Sequence, residues 1–344
     1  MEQKPTTDSA VVIPLHAEQD GDSERRRLAG RRSARRPRPV DGSAEVLAFS
    51  GAVEPDVESE SPTEIAVPQT GWEARAAEGL AFLRRRFVGR YELDEYGFDP
   101  ELTDAVVLPA LRTLYQQWFR VEVNGIENIP TTGGALLVAN HSGGLLPLDA
   151  AMTGVAVHDK HPAARRLRML ADERVFSTPG LSVLARRMGV TLACSADAEG
   201  LLSAGELVGV WPEGFGGIGK LFRERYTLQR FGRGGFVSSA VAAGVPIIPV
   251  SIVGAEEIYP VLGRIKALAR LLDVPYFPVT PTFPWLGPLG LVPLPSKWYI
   301  EFGAPIQTDG VSDSTDLFDL TDQVREQIQT TLYRLLSQRR GTWR

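Results

Sequence analysis

Apolar and polar positions alternate along this chain in two rhythms, one of short apolar runs and one of helical spacing. The run Ala135-Leu136-Leu137-Val138-Ala139 and the stretches 206–211 and 244–254 are almost wholly apolar. Gly, Pro or Asn bounds them, as expected of strands buried inside a sheet. Shorter strand candidates lie at 119–123, 167–171, 189–193 and 298–302. Elsewhere apolar residues recur every three or four positions, which predicts helices over 73–90, 104–119, 181–188, 231–243 and 319–337. Pro109 falls inside the second of these and moves its expected start later. Strands alternating with helices make an α/β fold, a mostly parallel central sheet flanked by helices.

The first 69 residues lack this rhythm. Eight arginines between Arg25 and Arg38 precede Glu54, Asp56, Glu58 and Glu60, so residues 1–69 are expected to form a disordered tail. Such a tail is either solvated and partly self-neutralised or a polybasic tether for anionic lipid. The folded part then spans 70–344, with N-terminal helices over 70–119, a core over 120–306 and a C-terminal helix within 315–340. A formal net charge of −5 gives no global basic field for nucleic acid. The single cysteine, Cys194, excludes an intrachain disulfide and a cysteine-based zinc cluster, and it suits a reduced, cytoplasmic setting. No stretch reaches the roughly 18 uncharged apolar residues of a membrane span. Residues 1–21 also lack a secretory apolar core.

Candidate chemistry sits where the apolar runs end. Asn140-His141-Ser142-Gly143-Gly144 follows the first run, and Asp149 lies eight residues past His141. A histidine at a strand exit is a candidate general base, and a carboxylate near it would fix its tautomer. The competing reading is a histidine that caps the strand end; a cap by Asp149 on a helix that begins at Ala150 is compatible with orienting His141. Pro212-Glu213-Gly214 closes the second run. It is either a ligand-facing glutamate beside a glycine that admits close approach, or an ordinary exposed turn. Residues 214–220 also spell G-x-x-x-x-G-K, but Leu221 stands where a phosphate loop needs Ser or Thr for Mg²⁺. No G-x-S-x-G elbow offers a nucleophilic serine.

Taken in order, three blocks resemble the phospholipid/glycerol acyltransferase superfamily over roughly residues 121–306. They are Asn140-His141 with Asp149, then Trp211-Pro212-Glu213-Gly214, then Gly244-Val245-Pro246-Ile247-Ile248-Pro249-Val250. The resemblance implies acyl transfer from acyl-CoA, or from an acyl carrier thioester, to a lipid hydroxyl. It makes His141 and Asp149 the catalytic dyad and puts Glu213 and Gly214 on the acceptor side. Asn140, Ser142 and Gly143 beside the histidine are further expected substrate contacts. So are Lys220, Arg223 and Arg233, which would hold phosphates unless they are only solvated surface cations. No metal is implied, and no cofactor beyond the acyl-CoA co-substrate.

The chain departs from the family pattern in three places. Seven residues rather than four separate His141 from Asp149, and Gly216 replaces the arginine usual three positions after Glu213. Cys194-Ser195-Ala196-Asp197 carries no arginine where the family has its second phosphate ligand. A neutral acceptor such as diacylglycerol is therefore expected ahead of a phosphate-bearing one. The stretches 233–237 and 254–259 also resemble the diacylglycerol acyltransferase branch. Membrane contact is expected from a basic amphipathic helix over 261–272 and an aromatic, Pro-rich stretch over 276–292, unless both pack on the core. The enzyme would then be peripheral on the inner face of the membrane. The competing functions are a non-catalytic lipid-binding or transfer module and a lipid thioester or ester hydrolase.

Overall fold

A computed structural model describes residues 71–341 apart from 90, 143–146, 178–179, 233, 272–275, 312 and 340; the expected tail over 1–69 lies outside them. The strands are β1 (Glu122–Asn124), β2 (Ala135–Ala139), β3 (Leu167–Ala171), β4 (Val190–Leu192), β5 (Leu207–Val210), β6 (Ile247–Val253), β7 (Gly263–Arg264), β8 (Pro278–Val279) and β9 (Tyr299–Phe302). Seven of them form one sheet in the order β1-β9-β6-β2-β5-β3-β4, and β7 pairs with β8 apart from it. From β4 to β6 every pairing is parallel, while β9 runs antiparallel to β6 and carries β1 parallel to itself. The helices are α1 (Gly71–Phe87), α2 (residues 100–118), α3 (Leu148–Lys160), α4 (Glu173–Ser177), α5 (Leu181–Arg187), α6 (Ser195–Ser203), α7 (Gly214–Ile218), α8 (Gly235–Ala243), α9 (Lys266–Leu271) and α10 (Ser314–Gln338).

Strands β2 and β6 are buried along their whole length because each serves two layers. Successive side chains of a strand point to opposite faces. Leu137 and Ala139 of β2, with Ile248, Val250 and Ile252 of β6, join Met152, Val155 and Ala156 of α3 in one cluster. Leu136 and Val138, with Ile247 and Val253, meet Leu201 of α6, Val237 and Ala240 of α8, and Val324, Ile328 and Leu332 of α10 in the other. Helices on both faces of a parallel sheet explain why these runs read as continuously apolar. At the sheet edge Phe119 and Trp298 stack with ring centroids 4.5 Å apart, tying the end of α2 to the segment entering β9.

Several boundaries differ from the sequence expectation. Helix α2 begins earlier than 104, because Asp99 accepts the Leu102 N–H at 2.9 Å as its N-cap and Pro100 occupies the first turn. It passes Pro109 through widened turns, in which Leu108 and Phe119 each bond five residues back, to Thr103 and Leu114. Helix α8 starts only at Gly235, since Gly234 before it takes φ +77°. The amphipathic helix expected over 261–272 forms only over Lys266–Leu271. Leu262 and Ile265 donate to the Val279 and Phe277 carbonyls, so that segment is a two-stranded ribbon before α9. Helices α4, α6 and α7 were not anticipated.

Ile328→Ala, which removes a fully buried side chain facing β6, should cost about 2–5 kcal/mol in urea unfolding. Tyr333→Ala on the exposed side of α10 should stay within about 0.5 kcal/mol of the parent.

Candidate active site

Three neighbouring parallel strands, β6, β2 and β5, end side by side. Open α/β sheets bind ligands outside the carboxyl ends of their strands. There the chain delivers Asn140-His141-Ser142 from β2, Pro212-Glu213 from β5 and Gly254 to Glu257 from β6. His141 Nδ1 lies 2.7 Å from Asp149 Oδ2. The Asp149 side chain is fully buried, while 16% of the His141 side chain stays accessible. The same carboxylate oxygen accepts the Ser142 N–H at 2.8 Å. Asp149 is therefore not the cap of its own helix: α3 begins at Leu148, one residue ahead of it. In the first turn its charge faces the positive end of the helix dipole. With Nδ1 donating to Asp149, Nε2 is left as the basic nitrogen, the arrangement a general base needs.

Glu213 lies beneath this pair rather than in an open cleft. Its Oε1 accepts the His141 backbone N–H at 2.9 Å, and its Oε2 accepts the Gln229 N–H at 2.6 Å. Lys220 Nζ sits 3.1 Å from Glu213 Oε2 and 3.1 Å from Glu256 Oε1, and donates to the Thr227 carbonyl at 3.2 Å. All three of these charged side chains are buried. Burial works against the Lys220 charge, yet Glu256 and Glu213 hold its pKa above the ordinary value. Two carboxylates around one ammonium leave one charge uncompensated. Burial accordingly lifts Glu256 to about 7, although Lys220 pulls the other way.

A small cleft of about 20 Å³ opens beside the histidine loop, lined by Ser142, Lys220, Phe222, Arg225, Glu256 and Tyr259 among others. The buried Ser142 hydroxyl has no hydrogen-bond partner among the described residues. Arg225 folds over the Phe222 ring, 4.4 Å from its centroid, and donates to the Phe222 carbonyl. Burial pushes the Tyr259 phenol up to about 12. Trp211 backs the imidazole, ring centroids 6.1 Å apart. Beyond Glu256, Glu257 takes hydrogen bonds from Tyr226 and from Arg339 past the end of α10, and the Tyr226 hydroxyl accepts the Gly254 N–H at 2.9 Å. Gly254 has φ +108°, and a Cβ there would fall 2.5 Å from the Lys297 carbonyl oxygen, so only glycine turns the chain out of β6 here.

Of the residues named from sequence, His141, Asp149, Ser142, Glu213 and Lys220 come together, but not all face a substrate. Asn140 uses both ends of its amide on Ile252 across the β2–β6 pair, at 3.0 and 2.7 Å, and so closes the sheet rather than lining the cleft. Lys220 is turned inward onto carboxylates, so the G-x-x-x-x-G-K spacing builds no phosphate cradle; residues 214–218 wind into α7 instead. Arg223 is exposed beside Glu224 at 3.4 Å. Gly214 has φ +52° with open space where a side chain would be. Gly143 and Arg233 lie outside the described residues. Glu256, Tyr259 and Gly217 were missed. For Glu256 and Tyr259 the available signal was their place just past the exit of the third apolar run. Among the described residues no group of three or more His, Cys, Asp or Glu converges as metal ligands.

Residues 120–253 match the family model described as Acyltransferase. A Mycobacterium tuberculosis protein described as uncharacterized is 51% identical over 355 residues, covering 96% of this chain and 96% of that one. A human protein named "DGAT1/2-independent enzyme synthesizing storage lipids" is 29% identical over 59% of this chain and 59% of its own length. The crystal structure of the 1-acyl-sn-glycerophosphate acyltransferase of Thermotoga maritima superposes with a TM-score of 0.47 at 22% identity, over 75% of this chain and 89% of that chain.

One close approach makes the site's geometry testable. A Cβ at Gly217 would lie 2.9 Å from both the His141 Cβ and its carbonyl oxygen, whereas one at Gly216 meets only Gln229 at 4.0 Å. Gly217→Ala is expected to lower stability by about 1–3 kcal/mol through this overpacking. Gly216→Ala should stay within about 0.5 kcal/mol in the same denaturation assay.

Proposed function

The chain belongs to the phospholipid/glycerolipid acyltransferase superfamily and is an acyltransferase, and on that premise we propose that it moves a fatty acyl group from acyl-CoA, or another acyl thioester, to a hydroxyl of a neutral glycerolipid such as diacylglycerol. The observation that carries this reading is the 2.7 Å contact between His141 Nδ1 and the buried Asp149 carboxylate, at the end of β2. His141 Nε2 takes the proton of the acceptor hydroxyl as its oxygen attacks the thioester carbonyl carbon. A tetrahedral oxyanion forms and collapses, the carbon–sulfur bond breaks, and the imidazolium returns its proton to the departing thiolate. The products are an ester and a free thiol. Asp149 keeps the proton on Nδ1 in the resting enzyme and stabilises the imidazolium during turnover. No step requires a metal or a bound cofactor.

The acceptor preference rests on how the cations of the cleft are already engaged. Lys220 is shared between two carboxylates and Arg225 folds onto Phe222, while Glu256 places a carboxyl in the lining. A phosphate entering there would meet Glu256, whereas a hydroxyl can donate to it. The human relative's name, an enzyme that synthesizes storage lipids, points the same way. Purified protein given labelled acyl-CoA with diacylglycerol, monoacylglycerol, a fatty alcohol, a lysophospholipid or lysophosphatidate is expected to esterify a neutral acceptor fastest. His141→Ala should lower that rate about 10²–10⁴-fold. Free fatty acid as the only product would select hydrolysis. Lipid binding without product would select a transfer module, and esterification of lysophosphatidate alone would overturn the neutral preference.

Such substrates reside in membranes, and among the described residues no helix is long and apolar enough to cross one. We place the contact on the segment between β6 and β9, where Leu262, Leu271, Trp285, Leu286 and Leu289 are 56–79% exposed. Exposed Arg264, Lys266 and Arg270 accompany them, a composition suited to anionic headgroups. Its Tyr276 hydroxyl donates to the Ile218 carbonyl at 3.4 Å, and Val261 at its start lines the cleft, so lipid held there lies beside the site. The protein would sit peripherally on the inner face of the membrane, where its free Cys194 stays reduced. In vesicle sedimentation, replacing Leu271, Trp285 and Leu289 together by Ser should weaken partitioning at least about tenfold. Binding by the parent should fall with salt and with removal of anionic lipid. Unchanged partitioning would move the contact elsewhere.

A further inference from the structure

The cluster of Glu256, Lys220 and Glu213 is larger than substrate binding needs, and it leads to the histidine by an unbroken chain of contacts. Glu256 leaves the end of β6, Lys220 follows α7, and Glu213 leaves the end of β5. The Lys220 ammonium has three protons and three acceptors: Glu213 Oε2, Glu256 Oε1 and the Thr227 carbonyl. Glu256 is held in turn by the Tyr226 N–H at 3.0 Å. Glu213 receives Lys220 and the Gln229 N–H on one oxygen, which leaves the other for the His141 N–H. Asp149 grips the same residue from its ring. His141 is thus held from two sides by two buried carboxylates, and one of these depends on a lysine for its counter-charge.

We propose that Lys220 and Glu256 are positioning residues for acyl transfer: they hold the Glu213 side chain in the one orientation that fixes the His141 backbone while Asp149 orients its ring. Glu213 then serves the base rather than the acceptor. The inference rests on His141 being the base. It competes with a simpler role for Lys220, direct binding of a substrate phosphate, because Lys220 and Glu256 both line the cleft. The two roles differ in kinetics. A substrate-binding lysine, when removed, raises the acceptor or donor KM at constant kcat; a positioning lysine lowers kcat, since a small misplacement of the base costs rate.

The test compares Lys220→Met and Lys220→Arg in the full chain with His141→Ala, using labelled acyl-CoA and the best neutral acceptor. Lys220→Met is expected to lower kcat about 10–100-fold with both KM values within about twofold, and Lys220→Arg to restore much of the loss. Where Lys220→Met fails to fold, Lys220→Met/Glu256→Gln removes one of the two stranded carboxylates and is measured in its place. The amide proton of His141 in the unaltered protein gives a readout free of mutation. Bonded to an ionised carboxylate, it should resonate well downfield of an ordinary loop amide. An ordinary amide shift, an unchanged kcat, or a rise in KM alone would overturn the proposal. His141→Ala at full rate would instead remove the general-base reading. His141→Ala inactive beside Lys220→Met at parental kcat would sink the positioning role alone.

Discussion

One buried oxygen, Oδ2 of Asp149, holds the site together. It bonds the ring of His141 and the amide of Ser142 at once, so the imidazole and the backbone that carries it share a single anchor. A buried carboxylate is stable only where donors surround it. Here both donors, on Oδ2, come from the loop leaving β2, and the first turn of α3 adds a favourable dipole, while Oδ1 has no hydrogen-bond partner among the described residues. The seven residues between His141 and Asp149 therefore do not separate them in space. Helix α3 starts close enough to the end of β2 for its Asp149 to reach both His141 and Ser142.

The sheet makes that local arrangement rigid. Strands β2, β5 and β6 are adjacent and parallel, so three chain exits share one end of the sheet and bring His141, Glu213 and Glu256 to one place. Asn140 completes the edge by bonding both polar atoms of Ile252. Both faces of β2 and β6 are covered by helices, which leaves the end of the sheet as the surface where polar groups can converge on a substrate. The polar residues concentrate there because the layers on either side are apolar.

Much of this was legible in the chain. The apolar runs at 135–139, 207–211 and 244–254 read as interior strands, and a histidine and a glutamate placed just past two of them marked the site. The unusual His–Asp spacing did not hide the pair, since a short glycine-bearing loop closes easily. What was not legible depends on distant partners. Lys220 read as a phosphate ligand because its two carboxylates stand 7 and 36 positions away, and local spacing carries no sign of either. The helix expected over 261–272 had the right periodicity but lost its first part to pairing with 278–279, a tertiary preference that overrides local pattern. Helix α7 was hidden by three glycines in five residues, and one of them, Gly217, is needed so that the backbone can press against His141.

The link from Arg339 through Glu257 and Tyr226 to Gly254 ties the cleft to a distant part of the chain. His141 and Asp149 lie before position 150, but the segment leaving β6 beside them is fastened by a residue beyond α10. Loosening the end of α10 would therefore be felt at Glu256, two positions past Gly254, as well as in the apolar layer that the helix covers.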